Sequence, residues 1–136
     1  MLDKIQDVSA TTSEDAAQKV HEFLQDYAQG EKVYIVSAGL TLDIILLVEL
    51  FKYLPENRNI ENFAFKNLPN YLNHHHGIDL NTLLRVAGWN LSVPREKYVN
   101  VTKQNKHDAL YDAEVVGLCF KKLIKTEKFT EFLKTL

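Results

Sequence analysis

The run Val33-Tyr34-Ile35-Val36-Ser37 most narrows what this chain can fold into. It is apolar and rich in β-branched side chains, it follows the charges of Glu31 and Lys32, and it leaves through Ala38-Gly39. Such a run fits a short strand buried on both faces. On either side of it the apolar spacing becomes helical. Upstream, Thr11 with Glu14 fits a capping box, Ala16, Val20, Phe23, Leu24 and Tyr27 make a stripe, and Gly30 closes the helix. Downstream, residues 41–54 read as a second helix stopped by Pro55. That helix is apolar nearly all round, which predicts deep packing.

The remaining segments continue the alternation. Residues 1–10 are a polar lead-in, and 55–77 show no clear period apart from a short strand expected at Phe63-Ala64-Phe65. His74-His75-His76 reads as a solvated loop, since consecutive histidines on an ordinary loop do not converge on one ion. Ile78-Asp79-Leu80 reads as a strand end leading into a helix that runs to Gly88. Residues 89–106 are loop-like, with a turn of helix after Pro94, and Trp89 reads as a core anchor. A helix over 108–125 places Ala109, Ala113, Val116, Phe120 and Leu123 on one face, and a last helix carries Phe129, Phe132, Leu133 and Leu136. The order predicts an α/β fold, helix-rich with a short central sheet, and residues 1–136 read as a single domain.

Composition removes several classes. A hydrophobic fraction of 46% and a charged fraction of 25% are those of a globular chain. The apolar run 44–48 is far shorter than the roughly 20 residues that span a bilayer, so no membrane partner is expected. With Cys119 the single cysteine, an intrachain disulfide is excluded, and a reducing cytoplasm is the expected location. A net charge of −2 offers no global basic field, so any nucleic-acid binding must rest on a local patch.

Three places could carry chemistry. Asp43 lies just past the 33–37 strand, in the first turn of an otherwise apolar helix. The crevice beyond the carboxyl end of a parallel strand is where open α/β sheets hold ligands. A plainer role is to complement the positive end of its helix, worth about 0.3–1 kcal/mol. Asp112 stands at the edge of the expected buried face of the 108–125 helix, with His107 at its start. A carboxylate beside a histidine is suitable equipment for activating a metal-bound water; a solvated helix start is the plainer reading. Arg95, Lys97, Tyr98, Lys103 and Lys106 form a locally basic stretch suited to tracking phosphates, or simply to solvation.

The segment His107-Asp-Ala-Leu-Tyr-Asp112-Ala-Glu resembles the third motif of the DEDDh 3′–5′ exonucleases, His-x-Ala-x-x-Asp-Ala. Val33-Tyr-Ile-Val-Ser-Ala-Gly-Leu-Thr-Leu-Asp43 resembles their second motif, and Ile78-Asp79-Leu80 their intervening Ile-Asp-Leu strand end. The resemblance covers roughly residues 13–125. It implies a ribonuclease-H-like exonuclease fold and a two-metal phosphodiester hydrolysis on single-stranded nucleic acid. Asp43 and Asp112 would be ligands to Mg²⁺ or Mn²⁺, and His107 the general base.

The family's first motif, Asp-x-Glu on an opening strand, supplies two of its four metal carboxylates. Here only Asp3 and Asp7 precede the first helix, in a polar stretch. The expectation is therefore an incomplete fold lacking its N-terminal strands, weakly active or inactive alone. A homodimer, or a partner chain completing the sheet, is expected to cover the open edge. A catalytically incomplete module that binds nucleic acid or protein is the alternative.

Overall fold

In the structure, a computed structural model describing residues 11–72, 75, 77–102 and 108–134 (of 132 and 133 the backbone alone), the first helix opens one residue later than the capping box suggests. Helix α1 (Ser13–Ala28) is capped by Thr12, whose hydroxyl accepts the N–H of Asp15 at 3.1 Å. It ends at Gln29, in the left-handed region at φ 47°. The expected stripe is displaced as well. Ala17 and Ala28 are buried, whereas Phe23 and Tyr27 are 68% and 73% exposed. The packed face instead includes His21, whose imidazole meets Tyr71 and Phe51 with ring centroids at 5.7 and 6.3 Å. A polar anchor of this kind is invisible to a search for apolar periodicity.

The strand is shorter than the apolar run. Strand β1 (Ile35–Ser37) pairs in parallel with β2 (Gly77–Asp79), in the register Ile35–Gly77, Val36–Ile78 and Ser37–Asp79. Val33 spends its N–H on the Tyr71 carbonyl at 2.8 Å instead. Helix α2 (Leu40–Phe51) follows β1. It stops short of Pro55 because the Asn57 side-chain amide, buried, donates to the Phe51 carbonyl at 2.8 Å and turns the chain. Deep packing of this helix is not what the structure has. Val48 and Phe51 are buried, but Leu42 and Leu46 are 62% and 57% exposed. A helix apolar all round gives no signal of which face packs, and here one stripe does.

The strand expected at residues 63–65 is replaced by a 3-10 turn, Phe65–Asn67, where Asn67 Oδ1 accepts the Ala64 N–H at 3.1 Å. Such a local side-chain bond competes directly with sheet pairing. A similar turn covers Pro55–Asn57.

After β2 come α3 (Leu80–Val86), α4 (Arg95–Val99), α5 (Ala109–Ile124) and α6 (Glu127–Leu133). Helix α3 is capped by Asp79, whose carboxylate accepts both the backbone N–H and the hydroxyl of Thr82, at 3.2 and 2.6 Å. On α5 the buried line is Val115, Cys119 and Leu123, while Ala109 and Ala113 face solvent. The larger side chains bury more area and turn the face away from the alanines.

The described residues form two compact units, one drawn from Met1–Tyr34 and Leu42–His76, the other from Ile35–Thr41 and Gly77–Leu136. In the first, Ala17, Phe51, Leu54, Tyr71 and Leu72 are buried. In the second, Leu80, Leu84, Val115, Cys119, Leu123 and Phe129 make one cluster on which Val36, Trp89, Tyr98 and Phe120 pack. Each fully buried Leu or Phe contributes about 1.5–3 kcal/mol. The fold is thus α/β and helix-rich, with a short two-stranded parallel sheet among the described residues. No helix among them is long and apolar enough to cross a membrane.

Candidate functional site

The carboxyl ends of β1 and β2 gather a small polar network within the second unit. Ser37, buried, accepts the Gly39 N–H on its hydroxyl at 3.0 Å, which tightens the exit from the strand. The Asn81 amide donates to the Ala38 carbonyl, and its oxygen lies 3.5 Å from Arg95 Nη1. Arg95 therefore stands half-buried beside the strand ends, at the crevice that α/β sheets offer to ligands. Close packing helps to shape this edge. A Cβ on Gly77 would come within 2.9 Å of Leu40 Cδ2, so glycine lets the start of α2 lie against β2.

Asp43 lies in the first turn of α2 and its side chain is exposed; it belongs to the first unit. Asp112 lies in the first turn of α5, exposed, and belongs to the second. The turn bearing Asp112 is held by Asp108, whose carboxylate accepts the N–H groups of Leu110 and Tyr111 at 3.0 and 3.1 Å. Asp112 shares a helical row with half-buried Val116 and Phe120, so it borders the core without entering it. His107, Lys103 and Lys106 lie outside the described residues, as do His74, His76, Asp3 and Asp7.

Of the basic stretch, Lys97 is exposed, but Tyr98 is committed to packing. Its ring stands edge-on to Trp89 at 5.1 Å, and the Lys122 ammonium lies 4.7 Å above it. Burial, with the neighbouring Cys119 adding to it, pushes the Tyr98 hydroxyl above its usual range. Burial likewise raises the Cys119 thiol, with Arg95 partly opposing it. Trp89 carries a buried indole N–H that finds no acceptor among the described residues.

Carboxylate oxygens suit Mg²⁺ or Mn²⁺, which take about six oxygen donors each. Among the described residues, however, no three histidine, cysteine or carboxylate side chains come together as a metal site. Asp43 in the first unit and Asp112 in the second each offer one side chain of the oxygen-donor type that such ions take.

One feature has no signature in the apolar pattern. An open groove of about 700 Å³ in the first unit is lined by Lys32, Phe65, Lys66 and His75 among others. Its basic side chains come from three separated chain segments, so no charge run announces it.

No protein-family description, curated protein or solved structure matches the chain.

Proposed function

We propose that the chain is an incomplete ribonuclease-H-like exonuclease domain of the DEDDh type, acting on single-stranded nucleic acid by metal-dependent phosphodiester hydrolysis once its site is completed. The observation that carries this reading is the order of parts. A strand is followed by a helix with Asp43 in its first turn; a parallel strand then ends in Ile78-Asp79-Leu80, and a later helix carries Asp112 in its first turn. In this reading Asp43 and Asp112 hold divalent ions, His107 takes the proton of the attacking water, and Arg95 and Lys97, with Lys103 and Lys106, track the phosphates. Bound Mg²⁺ or Mn²⁺ would supply charge stabilisation at the phosphodiester.

The test is Mn²⁺ titrated into isotope-labelled protein. Paramagnetic broadening is expected around Asp43 and Asp112 at the same metal concentration. Broadening at one carboxylate alone, or at neither, overturns the shared site. With a 3′-labelled single strand and Mn²⁺, the chain by itself is expected to release nucleotides slowly or not at all. Rapid degradation abolished by His107→Ala would disprove the incompleteness.

Matching two of the exonucleases' four carboxylates among the described residues also favours a second reading, a binding module that holds nucleic acid or protein without cutting. Retained strand binding with no hydrolysis under any metal selects it.

The same reading includes a partner, a second copy or another chain, that extends the sheet and covers α2. The exposed Leu42, Ile45 and Leu46 support it, since apolar surface of this kind is costly in water. Light scattering is expected to show an oligomer that Leu42→Glu with Leu46→Glu dissociates; a monomeric parent removes the partner.

A further inference from the structure

We propose that α1 is a docking face for a second copy of this chain, the two α1 helices lying antiparallel along Ala16, Val20, Phe23 and Tyr27. This goes beyond the reading of the strand ends and of α2, since it rests on a different helix. The stripe is apolar, and the packing of the first unit does not use it. Phe23 and Tyr27 are exposed, and Ala16 and Val20 are half-buried. The face that packs inside the unit runs instead through Ala17, His21 and Ala28. Successive members of the stripe stand four, three and four positions apart. That is the repeat of about 3.5 residues by which one helix packs along another. An apolar seam of this length, on a helix of 16 residues, is surface that association would bury.

The side chains select the occupant. Two parallel copies would set Tyr27 on Tyr27 and Ala16 on Ala16, crowding one end of the seam and leaving a gap at the other. Antiparallel copies, reversed about the point midway between Val20 and Phe23, set Tyr27 against Ala16 of the second copy and Phe23 against its Val20. Every layer then joins a large side chain to a small one, which even packing along two helices requires. The charges agree. Lys19 and Asp26 are exposed and flank the stripe on its polar side. The same reversal brings Lys19 of each copy alongside Asp26 of the other, so a two-fold contact carries two opposite-charge pairs. In the parallel arrangement Lys19 lies beside Leu24 of the second copy, and the charges do not meet.

The experiment is sedimentation velocity of the whole chain at concentrations up to about 1 mM. One helix from each copy is a small interface, so a dissociation constant on the order of 100 μM is expected. Leu42→Glu and Leu46→Glu are present throughout, which removes association through α2. Failure here and failure of the contact proposed for α2 are then separate results. A monomer–dimer equilibrium is expected, and Phe23→Glu should leave only monomer. Lys19→Glu and Asp26→Lys should each weaken the dimer about tenfold, as two symmetric pairs turn from attraction to repulsion. Mixed in equal amounts, these two variants restore both pairs and should associate as tightly as the chain with neither change. That recovery also shows that both variants are folded. A chain monomeric at about 1 mM, a dimer indifferent to Phe23→Glu, or a mixture no tighter than either variant alone overturns the proposal. In the first case the stripe serves another occupant, residues 1–10 of the same chain or a different protein.

Discussion

Replacing Asp108 by alanine removes the acceptor on which the N–H groups of Leu110 and Tyr111 depend, at 3.0 and 3.1 Å. Loss of an N-cap costs about 0.5–2 kcal/mol. Asp108 is half-buried, so water replaces part of what is lost, and the expected cost is about 1 kcal/mol. That is roughly a fivefold shift in the folding equilibrium. Asp108→Asn keeps an acceptor and loses the charge, so it should cost no more than about 0.3–1 kcal/mol, the interaction with the helix dipole. Urea denaturation followed by fluorescence reads this out locally. Trp89, the single tryptophan, packs on the same cluster as α5. The first turn of α5 also carries Asp112, so under the proposed metal-binding reading Asp108→Ala should lower Mn²⁺ affinity as well as stability. Equal midpoints for the parent and Asp108→Ala, or a larger loss for the asparagine variant than for the alanine one, would refute the cap as the source.

Three further predictions concern the two cores. Leu123→Ala, at a fully buried site between α5 and its neighbours, should cost about 2–5 kcal/mol in the same assay. Burial, reinforced by the charge of Glu56, pushes the Tyr71 hydroxyl up from 10.0 to about 12. The folded state therefore keeps a proton there that the unfolded chain releases first, and stability is fully present below pH 10.0 and falls as pH rises toward about 12. Tyr71→Phe should flatten that alkaline limb of a denaturation series, and an unchanged limb would assign it to other groups. Cys119, buried with its thiol raised, should resist alkylation in native protein and react once urea unfolds the second unit; fast native labelling would contradict the packing.

The strand–helix–strand order was legible because its signals are local. The β-branched run at residues 33–37, Pro55 after α2 and the Ile78-Asp79-Leu80 strand end each act within a few positions. What was hidden depends on distant partners. His21 is part of a core face because Tyr71 comes to it from 50 positions away, with its hydroxyl 2.8 Å from His21 Nδ1. The exposed face of α2 could not be read because every face of that helix is apolar. The strand expected at Phe63-Ala64-Phe65 gives way to the turn Phe65–Asn67 because a single asparagine side chain outweighs two phenylalanines. At the candidate site, Asp43 is legible as a carboxylate in a helix first turn, whereas Asp112, expected at the edge of a buried face, is exposed in the first turn of its helix. The groove was not, because Lys32, Lys66 and His75 are brought together only by folding.

Whether Asp43 and Asp112 serve one ion can be decided by energetics alone. Each carboxylate is exposed in a helix first turn, so without metal its replacement by asparagine loses its own local interactions, the helix dipole among them at about 0.3–1 kcal/mol. The two losses should then add, as independent surface sites do. Saturating Mn²⁺ changes the arithmetic. An ion bound only by the folded chain stabilises it by about 2.7 kcal/mol at a hundred times its dissociation constant. If both carboxylates hold that ion, Asp43→Asn alone removes most of the gain and Asp112→Asn then has little left to remove. In Mn²⁺ the double variant should be less stable than either single one by no more than the second metal-independent loss, a coupling of about 1–3 kcal/mol that vanishes in chelator. Additive losses in Mn²⁺ would mean that the two side chains answer to different partners, and the nuclease reading would go with them.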